Sequence, residues 1–211
     1  MGHGGSQHKK APGLVARARK YVTSLGFAAA AIDAPSQGDR PTSAQAARFA
    51  TEIRQRITEG GSVGALVAHE MARRAVQAVP EWRATLDTLQ TLDFVGEGGP
   101  VGYWGLSMGS AIGLPLVAAE PRITAAVLGL VGLLPGDGAL AGTAAKVTVP
   151  VQFVLQWDDE LVPRESGLAL FDALASREKT LHANPGRHAA VPPFELAEAF
   201  FARHLAEGGA R

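Results

Sequence analysis

Hydrophobic residues recur along this chain in two rhythms, short unbroken apolar runs and longer stretches spaced three and four apart, and the two alternate from end to end. Ala11 to Leu25 places Leu14, Val15, Ala18, Val22 and Leu25 at helical spacing, with Arg17, Arg19 and Lys20 on other faces, and Gly26 ends the predicted helix. Phe27 to Ile32 is a short apolar run closed by Asp33-Ala34-Pro35, the pattern of a strand buried on both faces. From Thr42 the helical rhythm returns: Ala47, Ala50, Ile53 and Ile57 mark one face, Gly60-Gly61 stop it, and Ser62 is placed to cap a second helix. That second helix runs through Leu66, Met71, Val76 and Val79 to Leu92, with Pro80 predicted to kink or split it.

Beyond the Gly96–Pro100 turn, Val101 to Leu106 predicts a strand and Ser110 to Ala119 a helix that Glu120-Pro121 terminates. Ile123 to Val131 and Val149 to Leu155 predict two more strands, Arg164 to Ser176 a helix, and Lys179 to His182 a last short strand. Pro193 to Leu205 predicts a closing helix with Phe194, Leu196, Ala197, Phe200 and Phe201 as its apolar stripe. This alternation predicts an α/β fold, a mostly parallel sheet of about five strands flanked by helices on both faces. A length of 211 residues, 46% of them apolar, fits a single domain over 1–211, with 42–92 as a helical segment that is in part a candidate cap.

Charge and composition narrow the partners. Twenty basic residues balance twenty acidic ones, and no run of five like charges occurs, so nothing draws the chain to nucleic acid or an anionic membrane. A small molecule is the expected ligand. The lack of cysteine excludes disulfides, a thiolate nucleophile and cysteine-ligated zinc, and no His-x-x-x-His or mixed carboxylate cluster spells another metal site. No metal or cofactor is expected. The first ten residues are rich in Gly and His instead of apolar like a signal peptide, and no run of about 18 apolar residues would span a bilayer. The expected location is the cytoplasm.

Three segments carry candidate chemistry. Gly105-Leu106-Ser107-Met108-Gly109 falls on a predicted strand-to-helix turn. A serine hydroxyl is a poor nucleophile until a base takes its proton, and a tight turn flanked by glycines stands it clear of its own backbone. The following helix also points its positive end at the serine, which favours a developing oxyanion. A bare Gly-x-Ser-x-Gly arises by chance in a Gly- and Ala-rich chain, so its placement carries the inference. Asp159 lies just past an apolar run, where a carboxylate can orient an imidazole. Asp158 competes with it, and the Asp-x-x-Val-Pro spacing favours Asp159. Taken alone, such an acidic cluster is an ordinary solvated loop. His188, in a turn before the closing helix, is the best placed of six histidines, since His182 lies in a strand and His69 and His204 on helices.

Together these segments resemble the α/β-hydrolase superfamily, in particular its dienelactone-hydrolase-like and small carboxylesterase branches. The resemblance runs from about His3 to Leu205. It makes Ser107 the nucleophile on its elbow, Asp159 the acid and His188 the base, in the family's order. Asp33 to Arg40 matches the loop after the family's fourth strand, and His3-Gly4-Gly5-Ser6 matches its oxyanion-hole segment. The backbone N–H of Gly5, or of Ser6 beside it, and that of Met108 are then the implied oxyanion donors, and Trp157 is the aromatic expected to border the substrate. Dienelactone hydrolases proper use cysteine, which this chain lacks, so the resemblance implies ester cleavage at Ser107 through an acyl-enzyme. Acyl transfer, peptide hydrolysis and perhydrolysis share the same triad, and a non-catalytic binding protein is the rival from another class. In the family, strands lead into His-Gly-Gly, whereas Met1 and Gly2 alone precede it here. Three readings stand: a start that is misplaced or truncated, strands lost with the sheet closed up without them, or engineered first residues. If the central strand is absent, an uncovered sheet edge invites a second copy, hence an expected homo-oligomer.

Overall fold

The computed structural model describes residues 1–192 and 196–205. Four parallel strands lie side by side in chain order: β1 (Val101–Trp104), β2 (Ile123–Gly129), β3 (Val151–Gln156) and β4 (Lys179–Asn184). Seven helices occur among the described residues: α1 (Pro12–Leu25), α2 (Ala44–Thr58), α3 (Gly64–Gln90), α4 (Met108–Ala119), α5 (Gly138–Ala144), α6 (Arg164–Ala173) and α7 (Leu196–Leu205).

Side chains on a strand alternate between faces, so a sheet covered on both sides needs unbroken apolar runs. In β2, Ala126 and Leu128 enter one core with Ile112, Leu114, Phe153 and Leu170, on the side of α3 to α6. Ala125 and Val127 enter a second core with Tyr21, Val154, Ala197 and Phe201, beneath α1 and α7. Each large apolar side chain fully withdrawn in this way contributes roughly 1.5–3 kcal/mol. The two layers hold the carboxyl ends of β1, β3 and β4 in a row, and the loops after those ends carry the candidate residues.

Among the described residues four strands stand where about five are expected. Phe27–Ile32 forms no ladder, and Ala28 and Ala29 are exposed. Its neighbour on the side of β1 is the segment Met1–Gly2, whose amine reaches Ala30 O at 2.7 Å and whose Gly2 makes an isolated parallel bridge to Gly105. With so short a partner, an apolar run of strand composition has no ladder to join.

The 42–92 segment divides in two. The later part of α3 buries Ala75, Ala78 and Trp82 against α4. In α2 only Ala46 is buried, and Ile57, expected on the apolar face, is 61% exposed. Ser43 caps α2 by accepting from Ala46 N at 3.1 Å, whereas Ser62 caps nothing, because α3 starts after Val63. Pro80 does not split α3. Both Pro80 and Val76, whose carbonyl loses its N–H partner to the proline, are exposed, on the side of the helix turned away from the core. The expected helix start at Pro193 and Phe194 falls outside the described residues. No helix among the described residues is long and apolar enough to cross a membrane.

Candidate active site

At the end of β1 the chain turns sharply into α4 with Ser107 at φ 56° and ψ −121°, a left-handed conformation that few non-glycine residues adopt. The flanking glycines make the turn possible. A Cβ on Gly105 would lie 2.8 Å from the Gly109 backbone, and one on Gly109 would lie 2.6 Å from Gly2 O. Side chains below the turn brace it: the buried Tyr103 hydroxyl donates to Gly109 O at 2.7 Å. The Ser110 hydroxyl donates to Gly105 O at 2.6 Å and accepts from Gly129 N at 2.7 Å, tying the elbow to the end of β2. Because backbone meets backbone at Gly109, no rotamer relieves the crowding. Gly109→Ala is therefore expected to lower stability by about 1–3 kcal/mol and to displace Ser107, measured by urea denaturation beside an esterase assay.

The loop after β3 carries the candidate acid. Asp159 accepts from Leu161 N at 2.8 Å and Val162 N at 2.9 Å with one oxygen, and its other oxygen is 2.7 Å from His188 Nδ1. His188, in the turn after β4, has Nε2 2.9 Å from Ser107 Oγ. A carboxylate only accepts, so Nδ1 carries the imidazole proton and Nε2 offers its lone pair to the serine hydroxyl. The Asp159 and His188 side chains are only 3% and 14% exposed, which limits the water that competes for these bonds. Asp158 bonds elsewhere, accepting from Gly186 N at 3.1 Å. Among the described residues, none of His69, His182 and His204 bonds to Ser107; His204 packs against the Phe200 ring.

On the other side of the elbow runs the segment His3 to Ser6. His3 is 2% exposed and bonded through both ring nitrogens: Nδ1 donates to Gly4 O at 2.9 Å and Nε2 accepts from Ala34 N at 2.9 Å. Burial pushes its pKa down, which favours this neutral form. Ser6 N is engaged by Gln37 Oε1 at 3.0 Å. The N–H groups of Gly5 and Met108 have no acceptor among the described residues. Asp33 anchors the adjoining loop, accepting from Lys9 N, Lys9 Nζ and Asp39 N. Hydrogen bonds and the Lys9 charge outweigh the opposing effect of its burial and hold its carboxyl well below the usual range.

Trp157 is 44% exposed in the loop after β3, with the Arg164 guanidinium 4.0 Å above its ring. A groove of about 390 Å³ between α1 and the Ala29–Ala31 segment is lined by none of Ser107, Asp159, His188 and Trp157. No group of three metal-type side chains occurs among the described residues. Sequence reasoning missed Tyr103 and Ser110 as braces of the turn, and neither left a local signal.

No family model matches the chain, and no curated protein matches it. Among solved structures it is similar to a cold-adapted esterase from an Arctic intertidal metagenomic library, in its PEG-bound complex. That similarity is 37% identity over 97% of this chain and 80% of that one, with a TM-score of 0.73. The Pyrococcus furiosus esterase Pf2001 matches at TM-score 0.68 with 11% identity, over 96% of this chain and 79% of its own. DcsB, in complex with its substrate analogue, matches at TM-score 0.66 with 15% identity, over 96% and 87%. At such identities the last two show the fold alone.

Proposed function

The chain belongs to the esterases of the α/β-hydrolase fold, and on that premise we propose that it cleaves carboxylic esters on Ser107, His188 and Asp159 through an acyl-enzyme. The observation that carries this reading is the unbroken relay at the elbow, 2.9 Å from Ser107 Oγ to His188 Nε2 and 2.7 Å from His188 Nδ1 to Asp159. His188 takes the Ser107 proton as Oγ bonds to the ester carbonyl carbon, and Asp159 stabilises the imidazolium that results. The carbonyl oxygen gains the charge and is met by the N–H groups of Met108 and Gly5 at the positive end of α4. Collapse of the tetrahedral centre breaks the bond to the alcohol oxygen, which leaves with the proton held by His188. Water then gives its proton to His188 and its oxygen to the acyl carbon, and the carboxylic acid leaves as Ser107 recovers its proton. Half-exposed beside the acid loop, Trp157 offers an apolar wall to the substrate.

A fluorophosphonate tests the reading without presupposing a substrate, because it reacts with activated serines. Intact and peptide mass spectrometry should place the adduct on Ser107 in the wild-type protein and find none in His188→Ala. A folded wild-type protein left unlabelled would sink the proposal and favour a non-catalytic binding role.

A further inference from the structure

The turn that carries His188 belongs to neither a strand nor a helix, since β4 ends at Asn184. Its polar groups go instead to five consecutive residues of the β3 end. Gln156 Nε2 donates to Arg187 O at 3.2 Å and Ala190 O at 3.0 Å, the carbonyls on either side of His188. Trp157 N donates to Asn184 O at 2.7 Å. Asp158 exchanges two bonds with Gly186, its N–H to Gly186 O and its carboxylate from Gly186 N, both at 3.1 Å. Asp159 takes the ring. Glu160 Oε2 accepts the backbone N–H of His188 itself at 3.0 Å, and its other oxygen lies 3.4 Å from Arg187 Nη2.

His188 is thus gripped at two points by neighbouring carboxylates, at its main-chain nitrogen by Glu160 and at Nδ1 by Asp159. One grip alone leaves the ring free to swing about it, whereas two fix the direction in which Nε2 points. We propose that Glu160 is a positioning residue for the reaction, holding the main chain of His188 so that the ring, once bonded to Asp159, meets Ser107. The inference rests on His188 being the base. Glu160 is suited to the role because donation from the His188 N–H, foremost, holds its carboxyl below the usual range and keeps it an acceptor at neutral pH. Its side chain is 37% exposed and fills no core volume, so its loss leaves the packing intact.

Glu160→Ala and Glu160→Gln, assayed with a p-nitrophenyl ester of a short acid and by the rate of fluorophosphonate labelling, test this. A base swung off line by a fraction of an ångström makes Glu160→Ala about tenfold lower in kcat with KM within about twofold, and slows labelling in proportion. The melting temperature should stay within about 2 °C. Glu160→Gln, which keeps an oxygen able to accept the N–H, should return kcat to within about threefold of wild type. Wild-type kcat and labelling in Glu160→Ala would overturn the proposal, as would a glutamine variant no better than alanine or a loss that follows a falling melting temperature. If instead the wild-type protein takes no label, or His188→Ala labels at the wild-type rate, the triad itself fails and this inference falls with it.

Discussion

Ser107→Ala is expected to lower esterase turnover by roughly ten-thousandfold or more, to the level left by substrate binding and the oxyanion donors. The substitution removes one oxygen and little else. Alanine and serine are about equally strained at φ 56°, so the elbow keeps its shape, with Tyr103 and Ser110 still bracing it from below. The melting temperature should therefore be unchanged, and the loss should appear in kcat and not in KM, because the alcohol and acyl portions of the ester still find their contacts. His188→Ala should show a loss of similar order, and the double variant little more than either alone, since the two side chains act as one unit. Retention of substantial turnover by Ser107→Ala would remove the serine from the mechanism. A burst of alcohol release in the wild-type protein, absent from the variant, would tie the loss to acylation.

Local chemistry was legible in the sequence wherever one residue's surroundings determine its role. Ser107 between two glycines, at the junction of an apolar run and a helical rhythm, can take few backbone shapes. The apolar runs of β2 and β3 are likewise self-declaring, because burial on both faces demands them. Phe27–Ile32 has the same composition and yet forms no ladder, since a strand exists only with a partner and a run of residues carries no information about what lies beside it. The caps show the same divide at shorter range. Ser43 and Ser62 are equivalent as types, and only the position at which each helix breaks its register selects Ser43. Least legible were the groups that steady the site: Gln156 reaches 31 and 34 residues along the chain and Glu160 reaches 28, and no period or motif encodes such a bond.

Asp159→Asn is expected to cost about a thousand- to ten-thousandfold in kcat, and Asp158→Asn at most about threefold, although the two residues are neighbours of one chemical type. The difference follows from what holds each carboxylate. One oxygen of Asp159 is taken by the N–H groups of Leu161 and Val162, both of which require an acceptor. In the asparagine variant the amide oxygen must fill that position, and the NH2 group is turned toward His188 Nδ1. Nδ1 then has to accept, the imidazole proton moves to Nε2, and the ring now donates to Ser107 Oγ instead of taking its proton. The fold should survive, since every bond is replaced by another of the same geometry, and the loss should therefore appear without a change in melting temperature. Asp158 accepts only from Gly186 N, which an amide oxygen serves as well, so the turn carrying His188 keeps its place. Steady-state kinetics on both variants decides between them, and the reverse ranking would transfer the acid's role to Asp158 and require the His188 ring to lie elsewhere when substrate is bound.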